Sequence, residues 1–394
     1  MSDSTTPAPQ TSPAPRTGRR SAIRPAGGQT IFSRMTALAA ETGALNLGQG
    51  FPDADGPEAV LAAARQAIAD GANQYPPARG ERTLLEAIAA HQHHWYGLEV
   101  SPDTDVLVTV GATEALASAI LAFVEPGDEV VVFEPTYDSY AADIARAGGV
   151  RRTVPLRFPD FALDEDALAA AFSERTALVL LNTPHNPTGK VFTAAECATI
   201  AEHAARHDAV VISDEVYEHL AFAPHEHMPF ASTPGMPERT LTISSGGKTF
   251  STTGWKIGWV TGPADLVAAV ASVKQFLTFA SGTPLQHGIA AGLCLPDAFF
   301  AEQRAEMAAR SALLVDGLTR AGFDAVAPQG GYFVLADVAP LGVDDAAEFA
   351  LRLPTEAGGG AVPGSGVWGG PGAPGLPRAL RAGRPGRRRP PAAP

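Results

Sequence analysis

Ser244-Ser245-Gly246-Gly247-Lys248-Thr249-Phe250-Ser251-Thr252-Thr253-Gly254-Trp255-Lys256-Ile257-Gly258 is the stretch on which the reading of this chain turns. One lysine sits in a run of small and hydroxylated residues, and a second follows eight positions later. A lysine that condenses with an aldehyde needs a semi-buried place and a depressed pKa. If the aldehyde also carries a phosphate, hydroxyls and a fixed cation belong beside it. Ser245 and Lys256 flank Lys248 in that way. Taken alone, the stretch also reads as a Gly/Ser loop with two solvated lysines.

Working outward, short apolar runs alternate with longer amphipathic ones from about Leu45 to Leu295. Val106-Leu107-Val108-Thr109-Val110, Val130-Val131-Val132-Phe133, Leu178-Val179-Leu180-Leu181 and Val210-Val211-Ile212-Ser213 read as buried strands. Thr193 to His207 and Ala264 to Phe276 read as helices between them. The alternation predicts an α/β fold with a mostly parallel sheet covered on both faces. A helical stretch, Phe299 to Ala321, then leads to the strand-like Gly331-Tyr332-Phe333-Val334-Leu335, the expected core of a second, smaller α/β domain.

Two turns stand out on this framework. Gly111-Ala112-Thr113 follows a strand and opens a helix, where backbone N–H groups and the helix dipole make a phosphate site; an ordinary strand-to-helix turn is the plainer alternative. Asp214 ends an apolar strand, at the edge where such sheets place their chemistry; a helix-capping or surface Asp is the alternative there. Asn186-Pro187-Thr188-Gly189 is a turn by composition, and Lys190 beside it reads as a solvated loop lysine.

These pieces carry a resemblance. Leu47-Gly48-Gln49-Gly50-Phe51-Pro52-Asp53, Asn73-Gln74-Tyr75-Pro76-Pro77, Gly111-Ala112-Thr113-Glu114-Ala115, Asn186-Pro187-Thr188-Gly189, Asp214-Glu215-Val216-Tyr217 and the lysine segment stand in one order along the chain. In them the chain resembles the class I/II aminotransferases, fold-type I enzymes that use pyridoxal phosphate (PLP), from about Ile31 to about Ser365. Within that family it looks most like the group holding succinyldiaminopimelate, kynurenine and methionine aminotransferases. The resemblance implies a large PLP-binding domain with a mostly parallel seven-stranded sheet and a smaller α/β domain.

It also implies roles. Lys248 would bind the cofactor's aldehyde and then shuttle a proton; Asp214 would pair with the protonated ring nitrogen. Tyr217 and Asn186 would contact the phenolic oxygen, and Tyr137 would stack on the ring. Ala112, Thr113, Ser245 and Lys256 would hold the phosphate, joined by Tyr75 from a neighbouring subunit of a homodimer. Gly50, Phe51, Tyr140 and Asn186 would line the substrate site; for Phe51 and Tyr140, plain packing in a core is the alternative. The implied partners are an amino acid and a 2-oxo acid, exchanged in ping-pong order.

Composition agrees. At 394 residues the chain can bury a large core in two domains. Its net charge of −13 argues against a general nucleic-acid binder. No apolar run approaches the length that spans a membrane. Arg16, Arg19 and Arg20 have no apolar segment behind them, so no signal peptide is expected and the cytoplasm is the default. Cys197 and Cys294 form no metal or CxxC pattern and read as ordinary thiols. A regulator that fuses such a fold to a DNA-binding domain is the other alternative, but residues 1–28 are too few and too rich in proline to be read as a helix-turn-helix.

The expected boundaries are a disordered tail over 1–28, an arm and small-domain segment over 29–47, the large domain over 48–295, and the small domain over 296–374. Residues 375–394 are nearly all Gly, Pro, Ala and Arg. The family holds the substrate carboxylate with an arginine fork, in an apolar strand shortly after a motif found here as Val362-Pro363-Gly364-Ser365. That strand is not legible here. Arg378 is nearest in position and Arg381 second; solvated tail arginines are the alternative. A C-terminus out of frame relative to its relatives would give this composition, and a PLP-binding protein without turnover would then result. Resequencing the last segment would overturn this if no other frame restored an apolar strand.

Overall fold

The computed structural model describes residues 31–48, 55–364 and 379–383. The expected N-terminal tail, Gly50, Phe51 and Arg378 lie outside the described residues.

The strands are β1 (Leu45–Asn46), β2 (Val106–Val110), β3 (Glu129–Glu134), β4 (Val150–Pro155), β5 (Thr176–Asn182), β6 (Val210–Asp214), β7 (Thr240–Ser245), β8 (Ile257–Thr261), β9 (Asp324–Val326), β10 (Phe333–Asp337), β11 (Gly359–Gly360), β12 (Val362–Pro363) and β13 (Ala379–Gly383). Seven form the large sheet in the order β2-β8-β7-β6-β5-β3-β4. β8 runs antiparallel to both its neighbours and the remaining pairs are parallel.

The unbroken apolar runs exist because both faces of this sheet are covered. In β3, Val131 and Phe133 enter one buried cluster, with Ile200 and Ala204 of the helix Ala194–Arg206. Val130 and Val132 enter another, with Leu116 and Ile120 of the helix Gly111–Phe123. Val211 and Ile212 of β6 divide in the same way. Where the sequence places a helix from Thr193, Thr193 caps it: its hydroxyl accepts from Glu196 N, and the Glu196 carboxylate accepts from Thr193 N.

The smaller α/β part has a four-stranded sheet, β12-β13-β10-β9, behind the long helix Asp297–Arg320. β1 pairs in parallel with β11, tying the start of the described chain to this part. Leu335 of β10 also reaches the large core.

The tail requires a correction. Residues 379–383 form a strand, inserted between β12 and β10 with Arg381 opposite Val362 on one side and Leu335 on the other. The sequence hid it because strand pairing uses backbone groups. A docking edge on each side offsets the weak pattern of Ala379-Leu380-Arg381-Ala382-Gly383.

Candidate active site

One cavity opens at the carboxyl edge of the large sheet. It is lined by Gly111, Ala112, Thr113 and Leu116 after β2, Tyr137 after β3, Asn182 and Asn186 at the end of β5, and Asp214, Val216 and Tyr217 at the end of β6. Ser245, Gly247, Lys248, Thr253 and Lys256 complete the wall. Five strand ends therefore converge on one hollow, with Lys248 and Asp214 both on its surface.

The phosphate end is built by a close backbone approach. Gly111 has a φ of +69°, open to glycine at little cost. β8 runs beside it, and a side chain on Gly258 would stand 2.6 Å from Ala112 N and 2.7 Å from the Gly111 carbonyl carbon. The N-cap residue Val110 makes no side-chain cap to the helix Gly111–Phe123, and Gly111, Ala112 and Thr113 of its first turn line the hollow, leaving their N–H groups as donors for an anion there. Glu114 instead reaches back to Val110 N at 2.6 Å. Pairing of Val110 with Ile257 places Lys256 alongside; its Nζ donates to Thr113 Oγ1 at 3.2 Å. Ser245 Oγ accepts a long bond from Lys248 N, 3.4 Å.

The opposite end is acidic and buried. Asp214 is 4% exposed, and burial pushes its carboxyl up to about 6, partly offset by the hydroxyl of Tyr140 and the nearby Lys248. Asn182, opposite Asp214 in the register, donates from Nδ2 to the Asp214 carbonyl oxygen at 2.8 Å. Its Oδ1 accepts from Asn186 N at 2.6 Å. One buried amide thus fixes two site residues, and its place at the end of an apolar run gave no local signal of this. His185 is buried against Thr188 Oγ1 at 2.8 Å, and burial holds its pKa down to about 3. It is a neutral strut for the Asn186 turn.

Lys248 Nζ lies 5.7 Å from the ring centre of Tyr217 and 5.6 Å from that of Tyr332. Tyr332, whose sequence context marks only a strand, is the second site residue that the sequence does not announce.

Residues 42–368 match the family "Aminotransferase class I and II". The chain belongs to this family. A probable N-succinyldiaminopimelate aminotransferase of Mycobacterium tuberculosis is 52% identical over 337 residues, 85% of each chain. The methionine aminotransferase of Escherichia coli K12 is 42% identical, covering 85% of this chain and 87% of its own. The solved structure of the M. tuberculosis N-succinyldiaminopimelate aminotransferase superposes with a TM-score of 0.90 at 48% identity, covering 94% of this chain and 96% of that one.

This aminotransferase is PLP-dependent, and the cavity suits the cofactor. It joins an uncapped helix end with a cradle too tight for a Cβ, a lysine, and a buried carboxylate that needs a cationic partner. Of the residues expected to hold PLP, Ala112, Thr113, Tyr137, Asn186, Asp214, Tyr217, Ser245, Lys248 and Lys256 all line it.

Three expectations are revised or placed elsewhere. Tyr140 is buried behind Asp214 and is not on the cavity wall, since the first turn of its helix points it under the strand ends. Lys190 is not solvated: it is 6% exposed and pairs with Glu196 at 2.6 Å over the Phe192 ring. Tyr75 is outside the cavity, 83% exposed, its ring edge-on to Phe279.

Away from this cavity, His91 and His219 face each other through Nε2 at 2.8 Å. Glu218 beside them accepts from Tyr96 at 2.9 Å and from Ser244. The spacing of the two nitrogens is that of a hydrogen bond, and the group knits the back of β7 to the helix Arg82–Tyr96. The cysteines are free, Cys197 buried and Cys294 exposed. Among the described residues no helix is long and apolar enough to cross a membrane.

Proposed function

We propose that this aminotransferase takes an N-succinyldiaminopimelate-like amino donor and a 2-oxo acid such as 2-oxoglutarate. The observation that carries this reading is the 52% identity, over 85% of each chain, with a protein named for that substrate. The methionine aminotransferase at 42% identity supports the second reading, a methionine or kynurenine donor with β-lyase chemistry on cysteine conjugates.

In this reading Lys248 would hold the cofactor through its side-chain amine and, when that amine is free, would carry a proton to and from the substrate α-carbon. Asp214 would pair with the ring nitrogen, Asn186 and Tyr217 would hold the phenolic oxygen, and Tyr137 would support the ring face. Ala112, Thr113, Ser245 and Lys256 would anchor the phosphate. Bound PLP supplies the electron sink that stabilises negative charge at the α-carbon.

Tyr75 belongs to the partner's site in this reading. Its ring meets Phe279 in an exposed apolar patch, with Phe276 and Leu277 exposed on the same segment as Phe279, and Thr283 Oγ1 donates to the Gln74 carbonyl at 2.5 Å. Such a patch is a natural subunit contact.

The experiment is the absorption spectrum of the PLP-loaded protein, recorded before and after each of a panel of amino donors. The donor that most rapidly converts lysine-linked PLP to its aminated form names the substrate. Equal or faster conversion by methionine or kynurenine would favour the second reading. A spectrum that no donor changes would mean that PLP binds without turnover.

A further inference from the structure

Asp214 is held from behind. Tyr140, in the first turn of the helix Asp138–Ala147, donates its phenolic hydroxyl to Asp214 Oδ2 at 2.5 Å, and both side chains are buried. Among the described residues the other oxygen, Oδ1, has only a long contact from Val216 N, at 3.4 Å. An ionised carboxylate offers about four acceptor sites, so Oδ1 keeps capacity for a donor in the cavity while Oδ2 is occupied by Tyr140.

We infer that Tyr140 is a positioning residue for the cofactor's ring nitrogen: by donating to Oδ2 it keeps Asp214 ionised and turned so that Oδ1 accepts from a protonated pyridine. This rests on the reading of Asp214 given above.

The electrostatics follow from the groups that face Asp214. From the helix side come Tyr140 and, beyond it, Tyr137; from the segment after β7 comes Lys248; from its own segment come Glu215 and Tyr217. Burial and Glu215 favour the protonated acid, whereas the Tyr140 hydroxyl and Lys248 favour the anion. Tyr140 is a dependable donor because burial and the adjacent Asp214 push its own pKa well above the ordinary phenol value. It therefore keeps its proton wherever the enzyme works, adds no charge, and cannot exchange roles with its acceptor. A histidine in its place would titrate near neutrality.

The test is the pH dependence of PLP affinity in the wild type and in Tyr140→Phe. In the wild type, affinity should fall as pH drops through about 6, where Asp214 takes up its proton. In Tyr140→Phe the fall should begin about one pH unit higher, a roughly tenfold weaker affinity on that limb. PLP labelled with nitrogen-15 in the ring gives an independent readout, its ring nitrogen losing its proton at lower pH in the variant. Replacing Tyr140 by 3-fluorotyrosine, a stronger donor of the same shape, should move the limb the other way, which a packing role would not do. In an Asp214→Asn background neither replacement should shift it. A limb that stays in place in both variants, or a shift that persists without Asp214, overturns the inference. Wild-type protein that fails to link PLP to Lys248 would overturn the underlying reading of the site instead.

Discussion

The hydroxyl of Tyr332 donates to the backbone carbonyl of Lys248 at 2.6 Å. Tyr332 immediately precedes β10 of the smaller sheet, so this bond ties that sheet to the lysine segment of the larger one. Its ring also packs edge-on to Tyr217, 5.0 Å between centres, and flanks Lys248 Nζ. A ring face near an ammonium stabilises it, and a hydrogen bond to the main chain fixes where it starts.

Tyr332→Phe separates these two contributions, since it keeps the ring and removes the hydroxyl. The expected result is unchanged PLP affinity with a kcat about fivefold lower, the weight of one neutral hydrogen bond. Single-turnover rates with a good amino donor check this. A rate equal to wild type would show that the bond to the Lys248 carbonyl does not position the amine.

Gly258→Ala addresses the phosphate end. The new methyl group meets backbone at 2.6 and 2.7 Å, and backbone cannot rotate away as a side chain tip can. Overpacking of this kind costs about 1–3 kcal/mol, and here the strain falls on the N–H groups that face the phosphate. Weaker PLP affinity and a lower apo-protein melting temperature are expected together. A melting temperature that drops while PLP affinity holds would mean that the helix end is not the phosphate site.

Glu129 gives the molecule an acid limit unrelated to the cofactor. It is buried at the start of β3 and accepts from Arg152 at 2.5 Å, from Arg175, and from Ser173 Oγ at 2.7 Å. The bonds from Arg152 and Arg175 hold its pKa at about 2, below the ordinary 4.5. A depressed carboxyl contributes stability that is fully present above about 4.5 and drains away as pH falls towards 2. Denaturant melts from pH 7 downwards should show that loss in the wild type. Glu129→Gln should be less stable at pH 7 and lose less on acidification; parallel curves for the two proteins would remove Glu129 from the explanation.

What the sequence made legible follows its range of interaction. Val130-Val131-Val132-Phe133 announced a strand buried on both faces because its residues alternate between two apolar clusters, and Thr193 with Glu196 announced a helix start because the cap is local. Lys248, Ser245 and Lys256 could be read together because they share one short segment. The bonds Tyr140 to Asp214 and Tyr332 to Lys248 join residues 74 and 84 positions apart, and no pattern along the chain records such pairs. Lys190 was misread for the same reason: its apolar cover and its carboxylate partner both depend on how the Asn186 turn folds back on the next helix. β13 was missed because its pairing lies in backbone groups and in the two strands that receive it.

That strand sets the last expectation. Position along the chain ranks Arg378 before Arg381 as the residue that holds the substrate carboxylate, but Arg381 occupies the middle of β13, with pairing strands on both sides. A bidentate fork works best from a fixed backbone. Arg381→Ala is therefore expected to leave PLP binding intact and to lower kcat/KM for 2-oxo acids by about 30-fold or more, about 2 kcal/mol, as loss of a charge partner to a bound carboxylate costs. Arg378→Ala should cost less. Steady-state kinetics with 2-oxoglutarate on both variants decide the matter. A larger loss at Arg378 would reverse the assignment, and wild-type values in both would place the carboxylate contact on another residue altogether.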